Sequence, residues 1–288
     1  MASAMGSAAN GIGAHKGGSG EVRYYRRFTS IQRVMHSALM LTFVGCALTG
    51  LPLLFSEKPW AVTLAKMLGG FQGAGFIHRV CAAVMIVVFV SHVVMVFAKA
   101  FTSDSPVKMF WGPDSMVPRL QDGIDLINNF KWFLGMGPRP QFDRWTYWEK
   151  FDYWAVFWGM FIIGGSGLLL WFPLFFAQFL PGWIFNIAAL VHGEEALLAA
   201  GFIFSIHFFN GHLRPVKFPM DTVIFTGRIS EHEMLEERAV AFDRMKREGG
   251  LIEATPPTAE ARWFGWIVGG TALMLGILAI VLIIRSLV

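Results

Sequence analysis

Five histidines lie inside strongly apolar stretches of the chain, and four of them form two pairs with nearly equal spacing. His78 and His92 are fourteen residues apart, His192 and His207 are fifteen apart, and His36 opens a third stretch. Fourteen residues of helix rise about 21 Å, most of the way across a hydrocarbon core of about 30 Å, and leave both side chains within about 40° of one face. Two such helices side by side offer two stacked bis-histidine sites, the arrangement that electron transfer across a membrane needs.

The composition indicates an integral membrane protein. Of the 288 residues, 55% are hydrophobic and only 15% are charged, whereas a soluble domain carries about 25% charged residues. The net charge of +4 does not indicate nucleic-acid binding, because the basic residues lie in connections between apolar stretches. Cys46 and Cys81 form no CxxC or CxxCH motif, so neither an iron–sulfur site nor a covalently attached c-type haem is encoded.

Five stretches are long and apolar enough to cross a bilayer as helices. They lie near residues 31–54, 76–101, 153–176, 186–209 and 263–285. Lys and Arg concentrate in the N-terminal segment, between the second and third spans and after the fourth span, whereas the connection around 172–190 has none. The positive-inside rule therefore predicts a cytoplasmic N-terminus and a C-terminus outside.

Hydropathy and charge divide the chain into four parts. We expect a disordered cytoplasmic leader at 1–22, a four-helix transmembrane domain at 23–229, a cytoplasmic amphipathic helix and linker at 230–261, and a fifth transmembrane helix at 262–288. Short helices are predicted at 121–134, lying at the membrane surface, and at 230–248. The predicted fold class is an all-α integral membrane protein, with a four-helix bundle and a fifth C-terminal helix.

The depth of each histidine limits how the five can pair. His78 and His192 lie near the outer ends of their helices and form an outer pair, whereas His36, His92 and His207 lie toward the inner ends and compete for two positions. Proton relays and metal transporters usually place acids among such histidines, and the middle of the spans has none. We therefore interpret the histidines as axial ligands of b-type haem, in which two imidazoles leave no site for oxygen.

Other polar residues near the membrane surfaces are weaker candidates. Arg33, Arg79 and Arg214 lie where they could pair with haem propionates. His212 lies about 200° around the helix from His192, so we expect an interfacial residue or a contact of a haem propionate rather than an axial ligand.

The sequence around the histidines resembles the di-haem cytochrome b subunits of membrane-bound formate dehydrogenases and nickel–iron hydrogenases. The similar stretches are RVMHSALMLTFVGCALTG around His36, GFIHRVCAAV around His78, and ALVHGEEALLAAGFIFSIHFFNGHL around His192 and His207. EKFDYWAVFWGMFIIGGSGLLLWF is similar to the third span of the family, and HLRPVKFPMDTVIFTG to a subgroup that accompanies multihaem cytochromes c. The resemblance covers about residues 22–230.

The resemblance implies two haem b groups, the outer one held by His78 and His192 and the inner one by His36 and His207. The chain departs from the family in also having His92, so His36–His207 and His92–His207 are both open as the inner pair. An unpaired histidine could serve a quinone site or a third haem. Fifteen rather than fourteen residues separate His192 from His207, and a bulge or bend in the helix would absorb the added twist of about 100°.

The implied function is that of an electron-transfer subunit in a quinone-linked oxidoreductase complex of the bacterial inner membrane. The expected partners are membrane lipid, a quinone or quinol near His92 or Lys150, other membrane subunits, and an outer-face redox subunit. That subunit would be a multihaem cytochrome c, an iron–sulfur or a molybdenum enzyme, and residues 173–183 are a candidate docking surface for it. Two alternatives stay open: a haem-bearing anchor without quinone exchange, and a proton or metal transporter that uses the histidines.

Overall fold

The structure is a computed structural model that describes residues 22–215 and 217–287. Within these residues, five helical segments are long and apolar enough to cross a membrane. They are Ser30–Leu54, Gly70–Thr102, Tyr147–Trp171, Trp183–Leu213 and Ala259–Leu287. The predicted all-α membrane fold with a fifth, C-terminal span is confirmed. The predicted leader at 1–22 lies outside the described residues except for Val22.

Short elements connect and extend these spans. The helices are α1 (Ser30–Leu54), α2 (Pro59–Met67), α3 (Gly70–Thr102), α4 (Pro106–Trp111), α5 (Leu120–Phe133), α6 (Tyr147–Gly159), α7 (Gly165–Trp171), α8 (Pro173–Phe176), α9 (Trp183–Phe202), α10 (Val223–Thr226), α11 (Glu231–Glu237), α12 (Ala239–Arg247) and α13 (Ala259–Leu287). The strands are β1 (Tyr24–Arg26), β2 (Arg228–Ser230) and β3 (Glu253–Ala254). Three π-helical turns, Met160–Gly164, Ile203–His207 and Phe209–Leu213, interrupt the third and fourth spans. The predicted helix at 121–134 corresponds to α5.

The third span begins six residues earlier than hydropathy predicts. Thr146 caps α6 by accepting a hydrogen bond from the backbone N–H of Glu149, and the Glu149 carboxylate accepts from the backbone N–H of Thr146 at 2.8 Å. This reciprocal capping box satisfies two N–H groups at the helix end, so the helix starts before the apolar stretch does. As a result, Lys150 and Asp152 lie on the helix rather than in a loop.

Glycines set how closely the spans approach each other. A Cβ atom at Gly45 of α1 would lie 2.6 Å from Sγ of Cys81 on α3, and one at Gly276 of α13 would lie 2.6 Å from both Phe204 and Phe208. No side chain fits at such distances, so α1 meets α3, and α13 meets the fourth span, through glycine surfaces. The fifth span therefore packs one face on the bundle and is not only a lipid-facing helix.

The two ends of the bundle differ in structure. One end, called the cap face here, carries β1, α4, α5 and residues 214–258, and the other, the loop face, carries α2 and α8. Trp60 of α2 donates a hydrogen bond of 3.0 Å to the hydroxyl of Ser286, which places the end of α13 at the loop face. The first strand and the last helix turn thus lie at opposite ends of the bundle.

The cap face is closed by a small domain that hydropathy does not predict. Its three strands pair antiparallel in the order β2-β1-β3, with Tyr25 opposite both Ile229 and Glu253. Tyr25 and Ile229 are buried together with side chains of α11 and α12. The predicted helix and linker at 230–261 is therefore wrong in detail, because the helix is broken in two and the linker contains a strand. The break is at Arg238, whose buried guanidinium donates to the Arg144 carbonyl at 2.9 Å.

Ion pairs attach this cap to the spans. Arg27 and Arg238 both bind Glu149 of α6, at 3.3 and 2.9 Å, and Lys150 binds Asp122 of α5 at 2.8 Å. All five side chains are largely shielded from solvent, where paired charges are held more firmly than on an open surface. The cap is thus held to the start of the third span by charge as well as by its apolar core.

Candidate functional site

Two histidines meet near the loop face. His78 on α3 and His192 on α9 have ring centroids 6.1 Å apart and ring planes at 76° to each other. Both side chains are partly buried between helices. The fold thus brings together the two histidines that are predicted to lie at the same depth in the membrane.

The hydrogen bonds of His78 determine which ring nitrogen carries the proton. Nδ1 lies 3.2 Å from the Cys46 carbonyl oxygen and 3.1 Å from Oγ1 of Thr49. The Thr49 hydroxyl donates its own proton to the Gly45 carbonyl at 2.7 Å, so toward His78 it is an acceptor. Nδ1 is therefore the donor, and Nε2 keeps a lone pair that can bind a metal ion.

His192 is held in the same way by the third span. Its Nδ1 lies 3.0 Å from the Ile163 carbonyl oxygen and 3.3 Å from Oγ of Ser166. The Ser166 hydroxyl donates to the Ile162 carbonyl at 2.6 Å, so it too accepts from the imidazole. Ile163 lies in the π-helical turn Met160–Gly164, where the ordinary helical hydrogen-bond pattern is shifted. Nε2 of His192 is again the nitrogen left for a ligand.

A glycine packs closely against each of these two imidazole rings, and we call the carbonyl, the hydroxyl and the glycine around each ring its cradle. A Cβ at Gly50 would lie 3.1 Å from Cε1 of His78, and one at Gly167 would lie 3.0 Å from Cε1 of His192. Both cradles therefore have one order along the helix: a carbonyl, a hydroxyl three residues later, and a glycine next to the hydroxyl. Sequence reasoning missed them, although Thr-Gly and Ser-Gly pairs inside apolar spans were a visible signal.

At the cap face, a carboxylate holds His207. Nδ1 of His207 lies 2.8 Å from Oδ2 of Asp152, with side-chain exposures of 31% and 17%. The other oxygen of Asp152 is buried and has no hydrogen-bond partner in the described part of the chain. Sequence reasoning overlooked this acid because it placed the start of the third span one residue after it.

His36 and His212 lie close to this His207–Asp152 pair. His36 is within electrostatic range of both His207 and His212. Nδ1 of His36 and Nδ1 of His212 are buried, and neither has a hydrogen-bond partner among residues 22–215 and 217–287. Buried imidazole nitrogens without a partner are costly in a folded protein, so this cluster has unused ligand capacity.

The π-helical turns explain the position of His212. Regular helix would put His212 about 140° from His207, five residues earlier, but the turn Phe209–Leu213 is wider and closes with i→i+5 bonds. His212 is thereby rotated toward the side of the helix that carries His207, and its role as an interfacial residue or propionate contact stays a prediction. The turn Ile203–His207 is the predicted bulge within the fifteen-residue interval from His192.

His92 is placed apart from the other cap-face histidines. Its Nε2 lies 3.0 Å from the hydroxyl of Tyr153, and its ring also contacts Phe157, with centroids 6.4 Å apart. It therefore faces α6 rather than His207. Of the three histidines predicted at this level, His207 is bonded to Asp152 and His92 to Tyr153, whereas Nδ1 of His36 has no hydrogen-bond partner among the described residues.

The three candidate arginines have different surroundings. Arg33 donates to the Phe225 carbonyl at 2.6 Å, and Arg214 pairs with Glu237 at 2.8 Å and stacks over Trp148. These two side chains thus have partners within the protein, and their pairing with haem propionates stays a prediction. Arg79 is exposed next to His78 at the loop face.

The described residues contain no group of three or more His, Cys, Asp or Glu side chains that could hold a metal ion. A sequence model of the family described as prokaryotic cytochrome b561 matches residues 27–213, about two thirds of the chain.

The chain belongs to the prokaryotic cytochrome b561 family. This confirms the resemblance to membrane cytochrome b subunits of nickel–iron hydrogenases. As a member, the chain is a membrane cytochrome b that binds haem b and transfers electrons. A search of the curated proteins finds no match to it. All six histidines described above lie within the part of this cytochrome b that the family covers.

Proposed function

We propose that this cytochrome b carries electrons across the membrane through two haem b groups, between a quinone pool and a separate redox partner. The observation that carries the proposal is the His78–His192 pair, in which each Nδ1 is bound to backbone and each Nε2 keeps its lone pair. Such fixed tautomers suit two axial ligands of one iron. They do not suit a proton relay, in which the rings must exchange protons.

The separation of the two rings supports a single metal ion between them. With metal–nitrogen bonds of about 2 Å, imidazoles on opposite sides of one ion have centroids about 6 Å apart. The centroids of His78 and His192 are 6.1 Å apart. Backbone acceptors on Nδ1 are also the usual partners of metal-bound histidines, because they orient the ring and make Nε2 a better ligand. The residues therefore fit a bis-histidine haem.

For the second haem, at the cap face, we propose His36 and His207 as ligands. Asp152 holds Nδ1 of His207, in the same way that carboxylates commonly support metal-bound histidines. His36 approaches from α1 and has an unpartnered buried nitrogen within the described residues. His92 is excluded from this proposal because its Nε2 is bonded to Tyr153.

Bound haem supplies a one-electron centre with both axial positions filled, so it transfers electrons without binding oxygen. The chain supplies everything around that centre. His192 and His207 are fifteen residues apart on one span, which is about 22 Å of helix rise, so the two sites lie near opposite membrane surfaces. The apolar side chains between them keep water away from the path.

Charge suggests how the protein is oriented. The cap face carries nearly all the basic connections, whereas the loop-face connections carry Lys58 and Lys66 and none around 172–190. By the positive-inside rule we place the cap face in the cytoplasm. At the loop face, Leu174, Phe179 and Trp183 are exposed by 60% or more and lie in the uncharged connection. We propose that the redox partner binds there, next to the His78–His192 site.

Haem counts on single variants test the proposed ligands. The wild type is expected to contain two haems per chain. His78→Ala and His192→Ala should each lose one haem, His36→Ala and His207→Ala should lose the other, and His92→Ala should keep both. His232→Ala is a matched control, because His232 is 84% exposed in the cap.

The alternatives predict different results. Loss of a haem in His92→Ala, with both haems kept in His36→Ala, would reassign the inner ligand. A haem count of three would require a further site. Haem that quinol cannot reduce would indicate a structural anchor, and protein purified without a b-type absorption band would favour a transporter.

A further inference from the structure

His92 and Tyr153 form a polar pair that neither proposed haem uses. Their hydrogen bond of 3.0 Å joins α3 to α6 within two membrane spans. Both side chains are partly exposed at the seam between these helices. Ionisable side chains at such depth are expensive and are usually kept for function.

An apolar cleft lies on the loop-face side of this pair. It has a volume of about 230 Å³ and lies between α3, which contributes Ile86 and Phe89, and the π-helical turn of the third span. Gly164 and Gly165 form part of its wall, and a Cβ at Gly165 would meet no atom within 4 Å. Phe161 beside them is 72% exposed. The cleft is therefore open sideways, toward the lipid tails.

Aromatic rings pack against one another between the cleft and the polar pair. The ring of Phe89, at the edge of the cleft, lies 5.0 Å from that of Phe157 between centroids. Phe157 in turn lies 5.1 Å from Tyr153 and 6.4 Å from His92. A long molecule with its polar end at His92 and Tyr153 would lie over the Phe157 ring and extend its apolar tail into the cleft.

The polar pair also lies next to the cap-face haem site. Tyr153 directly follows Asp152, whose carboxylate holds Nδ1 of His207. Successive residues of a helix point about 100° apart, so Asp152 faces the bundle while Tyr153 faces α3. Adjacent residues on one turn of α6 therefore contact the proposed cap-face haem site and the His92–Tyr153 pair.

We propose that a lipid-soluble quinone binds here, with its ring at His92 and Tyr153 and its hydrocarbon chain in the cleft between α3 and the third span. This inference rests on the proposed electron exchange with quinone. With Nε2–H of His92 donating to the Tyr153 oxygen, the Tyr153 hydroxyl donates to a quinone carbonyl, and Nδ1 of His92 accepts from a quinol hydroxyl. Reduction of the ring takes up two electrons, which a haem at the cap-face site would supply one at a time, and two protons, one at each carbonyl oxygen. Oxidation of quinol returns the same electrons and protons.

Filling the cleft tests the proposal without changing the polar pair. Gly165→Leu places a side chain in the cleft, and Gly270→Leu is the matched control, because Gly270 is an equally open glycine on α13. Both variants should keep their dithionite-reduced haem spectrum. We expect Gly165→Leu to slow haem reduction by decylquinol at least about tenfold and Gly270→Leu to match the wild type. Tyr153→Phe should raise the quinol concentration for half-maximal rate about tenfold, as expected for one lost hydrogen bond.

Direct labelling gives a reading that does not depend on electron transfer. A photoreactive azidoquinone should label peptides of α3 and the third span in the wild type and in Gly270→Leu, and label them weakly in Gly165→Leu. If the wild type reacts with decylquinol but Gly165→Leu and Tyr153→Phe match it, the cleft holds only lipid chains and the proposed location is overturned. If the wild type itself does not react, the proposed function fails, and this site fails with it.

Discussion

Replacing Asp152 by asparagine tests whether this carboxylate tunes the cap-face haem. Asp152 accepts a hydrogen bond of 2.8 Å from Nδ1 of His207, whereas the loop-face histidines donate to uncharged carbonyl and hydroxyl oxygens. A negative charge on the far side of an axial imidazole makes it a stronger donor to iron and favours the more positive, oxidised state. Asp152→Asn keeps the shape and a hydrogen-bond acceptor but removes the charge.

The size of the effect follows from the strength of the two kinds of hydrogen bond. A bond to a charged group contributes about 1.5–3 kcal/mol and a neutral one about 0.5–1.5 kcal/mol. The pair is mostly shielded, with 17% exposure at Asp152, so solvent screening is limited. Only the part of this difference that changes with the oxidation state of the iron shifts the potential, so about 1–1.5 kcal/mol sets an upper limit of about 45–65 mV for a one-electron couple. The midpoint potential of the proposed cap-face haem should therefore rise by up to that amount.

A redox titration of the α-band of the purified protein measures this shift. The potential of the proposed loop-face haem serves as an internal reference and should not change. Asp104→Asn is the matched control, because Asp104 is an exposed carboxylate beyond the end of α3 at the same face. The reasoning is refuted if Asp152→Asn leaves both potentials unchanged, or if both haems shift equally.

Three further substitutions have expected outcomes with controls. A Cβ at Gly167 would lie 3.0 Å from Cε1 of His192, so Gly167→Val should reduce the haem count to about one per chain, whereas the open Gly270→Val should keep two. Gly276→Leu would overlap two phenylalanine rings and should destabilise the packing of α13 by about 1–3 kcal/mol; a melting temperature equal to that of Gly270→Leu would contradict this. Burial alone would lower the pKa of Lys217, but three neighbouring carboxylates raise it overall. Because the folded-state pKa is raised, the stability that Lys217 contributes is complete below its unfolded pKa of about 10.5 and declines as pH rises through the folded value. Lys217→Met should therefore lower stability by about 3–5 kcal/mol at neutral pH, and melting curves in which the difference vanishes below pH 9 would argue against the ion-pair cluster.

The parts of the fold that depend on local periodicity could be predicted from sequence. Apolar length gives the five spans, and equal depth gives the His78–His192 neighbours. The fifteen-residue interval before His207 predicts the irregular helix that the structure has as a π-helical turn. Each of these features depends on residue spacing along a helix, so it can be predicted from the sequence alone.

The missing parts depend on contacts between distant segments. Hydropathy starts the third span at residue 153 because the preceding residues are charged, and only the Thr146 cap extends the helix back to include Asp152. The choice between His36 and His92 depends on which neighbouring helix each ring faces, and spacing within one helix does not determine that. The cap sheet has strands of two or three residues, too short for a pattern of alternation.

The order of strands in the cap has a consequence for how the protein is made. β1 lies between β2, which follows the fourth span, and β3, which precedes the fifth. During synthesis from the N-terminus, β1 has no partner until four spans have been translated. The ends of α1 and of the fourth span, with His36 and His207, therefore stay accessible from that side late into translation. The cap can therefore close over this end of the bundle only after the fourth span has been made.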